Sequence, residues 1–171
     1  MRRLALTVVC LLALAVPGAA VALHNAPGDG TLVVRNGQGT VATPVVTLVI
    51  NGTVLGRVQG GPARLIITDL NSNDGFNPEV TGFGLRRDLS DTTTKWIGND
   101  FKFRAVGVGT YVRITVYGSD VDLVAVGHGK VMLAGSPDAG ATDGGFSFNG
   151  NAFRSLPGEQ TDWLPLAGEN G

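Results

Sequence analysis

The stretch "VVTLVINGTVLGRVQGGPARLIITD", Val45 to Asp69, decides the fold. It holds three short runs rich in Val, Leu, Ile and Thr, at 45–51, 53–59 and 63–69, parted by glycines. Branched side chains suit a pleated strand, and glycine supplies the breaks between strands. Slid along the chain without a gap, the stretch lies on "YVRITVYGSDVDLVAVGHGKVMLAG", 111–135. Gly52 then meets Gly118, Val58 meets Val124, Gly61 meets Gly127, and Arg64 meets Lys130. Upstream, "LVVRNGQGT" (32–40) resembles "FKFRAVGVGT" (101–110). The pattern reads as two weakly similar halves, about 31–70 and 100–135, joined by a connection over 71–99. The plainer explanation is composition, because any glycine-punctuated β-chain resembles itself.

Further strands are expected at 31–36, 101–106, 111–117, 121–126, 130–134 and 146–150. In "FKFRAV", Phe101 and Phe103 face one way and Lys102 and Arg104 the other. In "YVRITVY", Val112, Ile114 and Val116 point inward while Arg113 and Thr115 point out. This period of two marks a half-buried strand. "VDLVAV" differs, carrying apolar residues on both faces. No sustained helical spacing follows the N-terminal segment; at most "LRRDLSD" (85–91) makes a helical turn. The expected class is all-β. A short glycine-cornered β-solenoid is favoured, with "GVGT" and "GHGK" as corners, and an antiparallel β-sandwich is the alternative.

The N-terminus reads as an export signal. "MRR" is basic, Leu4 to Val16 is apolar, and Ala20-Val21-Ala22 gives a small-x-small cleavage pattern. Residues 1–22 are therefore expected to be a signal peptide, 23–30 a lead, 31–157 one all-β domain and 158–171 a tail. The apolar run is shorter than the roughly 20 residues of a membrane-spanning helix. The sole cysteine, Cys10, lies within the signal, so the mature chain is expected to hold no disulfide, thiolate nucleophile or Cys-based zinc site. Export without disulfides points to a bacterial secretory route. Removing Arg2 and Arg3 makes a chain of net charge −1 more acidic. No basic footprint for nucleic acid exists.

Candidate chemistry is sparse. His24 stands near the mature N-terminus and His128 in "GHGK", with no second ligand at metal spacing. No Gly-x-Ser-x-Gly elbow occurs, and Val124 stands where a phosphate loop ending at Gly129-Lys130 needs glycine. Asp120 and Asp122 share a face only if the strand starts early; turn formation is the plainer role. Arg86, Arg87, Asp88 and Asp91 read as local surface pairing. "DTTT" (91–94) reads as a strand start. Trp96 and Trp163 fit sugar stacking or, more simply, a core position and a C-terminal latch. "TDLNSNDGFNPEV" (68–80) starts like a calcium loop, but from Asp69 the glycine falls at position seven and Val80 stands where an acid is needed. It reads as turn-rich connection.

The run "FRAVGVGTYVRITVYGSDVDLVAVGHGKVMLAG" (103–135) resembles uncharacterised secreted β-repeat proteins of actinobacteria, a likeness extending over 30–157. It is also similar in style to β-solenoid domains of bacterial adhesins. Both resemblances imply an exported β-domain and bring no catalytic residue. The expected function is a secreted, non-catalytic domain with a structural, adhesive or binding role at or outside the cell envelope. A carbohydrate-binding module is the alternative, and a small glycan hydrolase a third reading. No catalytic, cofactor-binding or metal-binding residue is assigned and no cofactor is expected. A cell-surface glycan or protein is the expected partner, with no nucleic acid and no membrane span in the mature chain.

Overall fold

The computed structural model describes residues 29–71, 78–106, 110–138 and 142–168. The segment expected to be a signal peptide, with Cys10, and His24 lie outside the described residues. Among the described residues ten strands form one antiparallel sheet: β1 (Asp29–Gly37), β2 (Val46–Gln59), β3 (Ala63–Asp69), β4 (Glu79–Ser90), β5 (Thr93–Ala105), β6 (Tyr111–Tyr117), β7 (Val121–Ala134), β8 (Gly145–Phe148), β9 (Arg154–Ser155) and β10 (Leu164–Pro165). The strand order is β4-β5-β3-β6-β2-β7-β1-β8-β9, with β10 on β7. The all-β class is thus observed. Every described pairing is antiparallel. Stacked solenoid coils instead pair their strands in parallel, so the rungs expected from the glycine corners are not seen among these residues.

The backbone of the sheet is a long two-stranded ribbon, β2 on β7. The runs 45–51 and 53–59, expected as two strands, merge into β2, and 121–126 and 130–134 merge into β7. Inward positions pair across the ribbon: Leu48 with Leu133, Ile50 with Val131, and Val58 with Leu123. At its centre Gly52 pairs with Gly129. A Cβ on Gly52 would fall 2.1 Å from the His128 carbonyl oxygen, and one on Gly129 2.2 Å from that of Asn51. Both residues have φ near +130°. The glycines of "GHGK" therefore lie within a strand, where they let two backbones approach, rather than at a corner.

Neighbours change on both sides of the ribbon near these glycines. β2 pairs with β6 along Val46–Asn51 and with β5 along Val54–Val58. β7 pairs with β1 up to His128 and with β10 at Lys130 and Val131. Since β3 also pairs with both β5 and β6, the sheet turns back on itself. It does not close into a barrel, because among the described residues β4 pairs only with β5. Among the described residues no helix covers this sheet, so its own strands enclose one continuous core, with Leu32, Leu48, Leu65, Phe101, Ile114 and Leu123 among its most buried members.

The offset that aligns the two stretches also relates strand pairing. Thr47 pairs with Ala134, and the equivalent residues Arg113 and Thr68 pair with each other. Val46, Leu48 and Ile50 point inward, as do Val112, Ile114 and Val116. The middle runs part company. The chain passes straight through Gly52 but turns at Gly118–Asp120, where Asp120 takes φ 52°. Val58 is fully buried while Val124 is 37% exposed.

Residues 79–99, expected as turn-rich connection, form a hairpin of β4 and the start of β5. The "LRRDLSD" segment is extended rather than helical; Ser90 faces Thr93 across the Asp91-Thr92 turn.

Candidate functional site

An open cleft of about 430 Å³ lies on the outer face of β4, β5, β2 and β7. Its placement begins at Asn99-Asp100. Asp100 has φ 56°, a conformation that Asp tolerates better than most residues. Trp96 points inward before this residue, and Phe101, Phe103 and Ala105 point inward after it. The extra residue thus shifts the inward parity, as a β-bulge does. It also carries β5 from β3 across to β2. Opposite Phe103 stands Gly56, where a Cβ would fall 2.0 Å from Phe103 Cζ. The missing side chain lets the ring lie across β2, which sends Lys102 and Arg104 to the outer face.

Two cross-strand rows line the cleft. One runs Glu79, Arg104, Leu55, Val126; the other runs Thr81, Lys102, Arg57, Val124. Neighbouring strands lie about 4.8 Å apart, so each row is one continuous surface. Leu55 is 48% exposed and Val124 37%, with Val126 half-buried beside them. The water face of an antiparallel sheet is normally polar, and exposed apolar patches mark interaction sites.

Charge surrounds this apolar floor. Arg57 Nε and Nη2 donate to the two Asp100 carboxylate oxygens at 2.7 and 2.8 Å. That forked bond holds the Asp100 carboxyl below its usual range and raises Arg57 further. Arg104 Nη1 lies 3.7 Å from Glu79 Oε2. Lys102 forms no hydrogen bond or ion pair among the described residues. Three cations thus stand against two carboxylates around the cleft. The arrangement can hold an apolar body and pair with an acidic group.

The residues singled out from sequence are dispersed. His128 Nδ1 lies 3.1 Å from Asp29 Oδ1, an exposed pair between β7 and β1. Asp120 Oδ1 accepts from Gln38 Nε2, and Asp122 Oδ1 from the Asn36 N–H, so both acids secure the end of β1. Arg86 pairs with Asp88 at 3.0 Å on β4 and covers the Trp96 ring at 5.9 Å. Trp96 is 7% exposed and serves the core, while Trp163 is 38% exposed beside Tyr111 at 6.3 Å. Residues 72–77 of the calcium-like loop lie outside the described residues. Asp69 Oδ1 accepts from the Asn71 N–H, an Asx-type turn. Among the described residues no three His, Cys, Asp or Glu gather as a metal site.

Sequence reasoning did not single out Leu55, Arg57 or the cleft. The available signal was "VDLVAV", whose two apolar faces suggested a stacked coil; its outward face is instead part of the cleft floor. Comparison with protein-family models, curated proteins and solved structures finds no match to this chain.

Proposed function

We propose that this chain is an exported, non-catalytic β-domain whose open face binds an amphipathic anion at or outside the cell envelope. The supporting observation is the floor of exposed Leu55 and Val124 with half-buried Val126, beside Lys102 and Arg104. An acyl or aromatic body lies on the floor, and a carboxylate or phosphate meets the cations. The export-signal pattern of residues 1–22 and the likeness to secreted actinobacterial β-repeat proteins support the location. The fold-back of one sheet around one core favours the sandwich architecture over the solenoid.

Calorimetric titration with decanoate, and with the neutral decyl glucoside, tests the site below the aggregation concentration of each. One saturable decanoate site per chain is expected, with much weaker glucoside binding. Leu55→Asn should weaken decanoate binding about tenfold, since burying such a side chain contributes about 1.5–3 kcal/mol. Lys102→Gln should weaken decanoate selectively. Absence of saturable binding, or indifference to both substitutions, would overturn the proposal.

A carbohydrate-binding reading retains one support, the exposed Trp163 beside Tyr111. Its other aromatic candidate, Trp96, is occupied in the core.

A further inference from the structure

Strand β4 forms one edge of the sheet and pairs only with β5 among the described residues. Its register is regular from Phe83 to Asp88, between irregularities at Thr81/Phe83 and Asp88/Ser90. Along such a stretch the N–H and C=O of every other residue point away from the neighbouring strand, toward water. An open edge of this kind is a template on which a strand of another chain can pair.

The side chains beside this edge define what such a strand should carry. Leu85 on β4 faces Ile97 on β5, and the two are 68% and 45% exposed. In the next row on the same face, Arg87 stands directly opposite Lys95. Neither cation forms an ion pair among the described residues. Arg86 and Asp88 pair with each other on the opposite face, where Arg86 covers Trp96. Arg64, which faces Ile97 from β3, is engaged elsewhere: it donates to the Val41 carbonyl and its Cζ lies 3.8 Å from the Tyr117 centroid. Like charges directly opposite each other destabilise a sheet, so the Arg87–Lys95 row calls for an anion. Edge strands often carry a cation that deters aggregation, but Lys95 lies one strand in from the edge. The exposed Leu85–Ile97 pair also works against such protection.

We propose that residues 84–88 of β4 receive an extended segment of another protein as an added strand. An acidic side chain of that segment meets Arg87 and Lys95, and an apolar one two residues away covers Leu85 and Ile97. The spacing of two places both on one face. A second copy of this chain fits poorly. A two-fold pairing that sets Leu85 against Leu89 also sets Arg87 against its own copy, which extends the cationic row instead of neutralising it. The stretch lies beyond the cleft residues Glu79 and Thr81 on β4, and the proposal does not depend on that cleft binding anything.

The probe is acetyl-Thr-Val-Thr-Glu-Thr-Val-Thr-amide, titrated at low salt into the isotopically labelled full chain while amide chemical shifts are followed. Its Glu has a Val two residues away on either side, so it serves either strand direction. Saturable shifts are expected at residues 84–88 and 95–97. Replacing the probe's Glu by Gln should weaken binding about tenfold. A probe N-methylated at every amide keeps the side chains, loses the backbone donors and should not bind. Arg87→Gln and Lys95→Gln should each weaken the Glu probe about threefold, the scale of an exposed ion pair, and the double variant about tenfold. Leu85→Ser should weaken the Glu and Gln probes alike. Removing one of two opposed cations relieves repulsion, so Arg87→Gln should unfold at no lower temperature than wild type, which separates lost binding from lost fold. The proposal is overturned by an absence of saturable shifts at this edge, by equal affinity for the Glu and Gln probes, or by full binding of the N-methylated probe. The same β4 shifts appearing with chain concentration alone would also overturn it, in favour of a second copy.

Discussion

Glycine has two separate uses in this chain, and the aligned pair Gly61 and Gly127 distinguishes them. Gly61 lies in the loop between β2 and β3, where an added Cβ would make only an ordinary contact, 3.4 Å from Ser119 O. Gly127 lies inside β7, where a Cβ would fall 2.0 Å from the Thr53 carbonyl oxygen. Gly61→Ala should therefore alter stability by no more than about 0.5 kcal/mol, and Gly127→Ala should cost about 2 kcal/mol or more. Urea denaturation measures both; equal effects would contradict the close approach. Sequence alone does not separate these uses, because a turn glycine and a close-approach glycine look alike in one dimension. That is why 127–129 read as a corner.

Asp100 gives a pH-dependent expectation at the same scale. Its forked bond with Arg57 holds the folded-state carboxyl below the ordinary value of 3.8. The unfolded chain therefore takes up this proton first as pH falls. The pair's contribution is present above the unfolded pKa and is lost as pH drops through the folded one. The stability difference between wild type and Asp100→Asn should accordingly be larger at pH 7 than at pH 2–3. Asp88, held low by Arg86 and Thr94, adds a parallel acid sensitivity elsewhere on the surface, so the comparison must be made variant against wild type. A difference unchanged across this range would contradict the role of the fork.

Among the elements, strands with one buried face were legible and those without one were not. β6 alternates as expected, with Val112, Ile114 and Val116 fully buried and Arg113 exposed. Phe101 and Phe103 are likewise buried with Lys102 and Arg104 outside. β4 escaped notice because its residues from Gly84 to Ser90 are all exposed, so no burial period shapes its sequence. The start of β5 was obscured by the Asn99-Asp100 bulge, which breaks the alternation. The C-terminal tail was expected to latch through Trp163. In the structure Leu166 is fully buried and its N–H donates to Gly129 O, while Leu164 pairs with Val131. Leu166→Ala should cost about 2–5 kcal/mol, as large-to-small core changes do. Trp163→Ala should cost about 1 kcal/mol, the scale of an aromatic pair. Thermal denaturation of the two variants compares them, and a larger loss at Trp163 would return the latch to that residue.

At the scale of the whole molecule, the proposed binding surface is a product of topology. Leu55, Lys102 and Val124 are far apart in the chain and meet because β2 lies between β5 and β7. No local motif announces such a site, and the one sequence signal, apolar residues on both faces of "VDLVAV", fits several architectures. The all-β class could be read from strand alternation, but strand order depends on the close approach at Gly52 and Gly129 and on the β5 bulge, whose consequences are three-dimensional. The most direct test of the binding face is a residue-resolved amide chemical-shift map of the isotopically labelled chain titrated with decanoate. Saturable shifts centred on Leu55, Arg57, Lys102, Arg104, Val124 and Val126 are expected. Shifts absent at saturating decanoate, or centred elsewhere on the sheet, would contradict a ligand-binding role for this face.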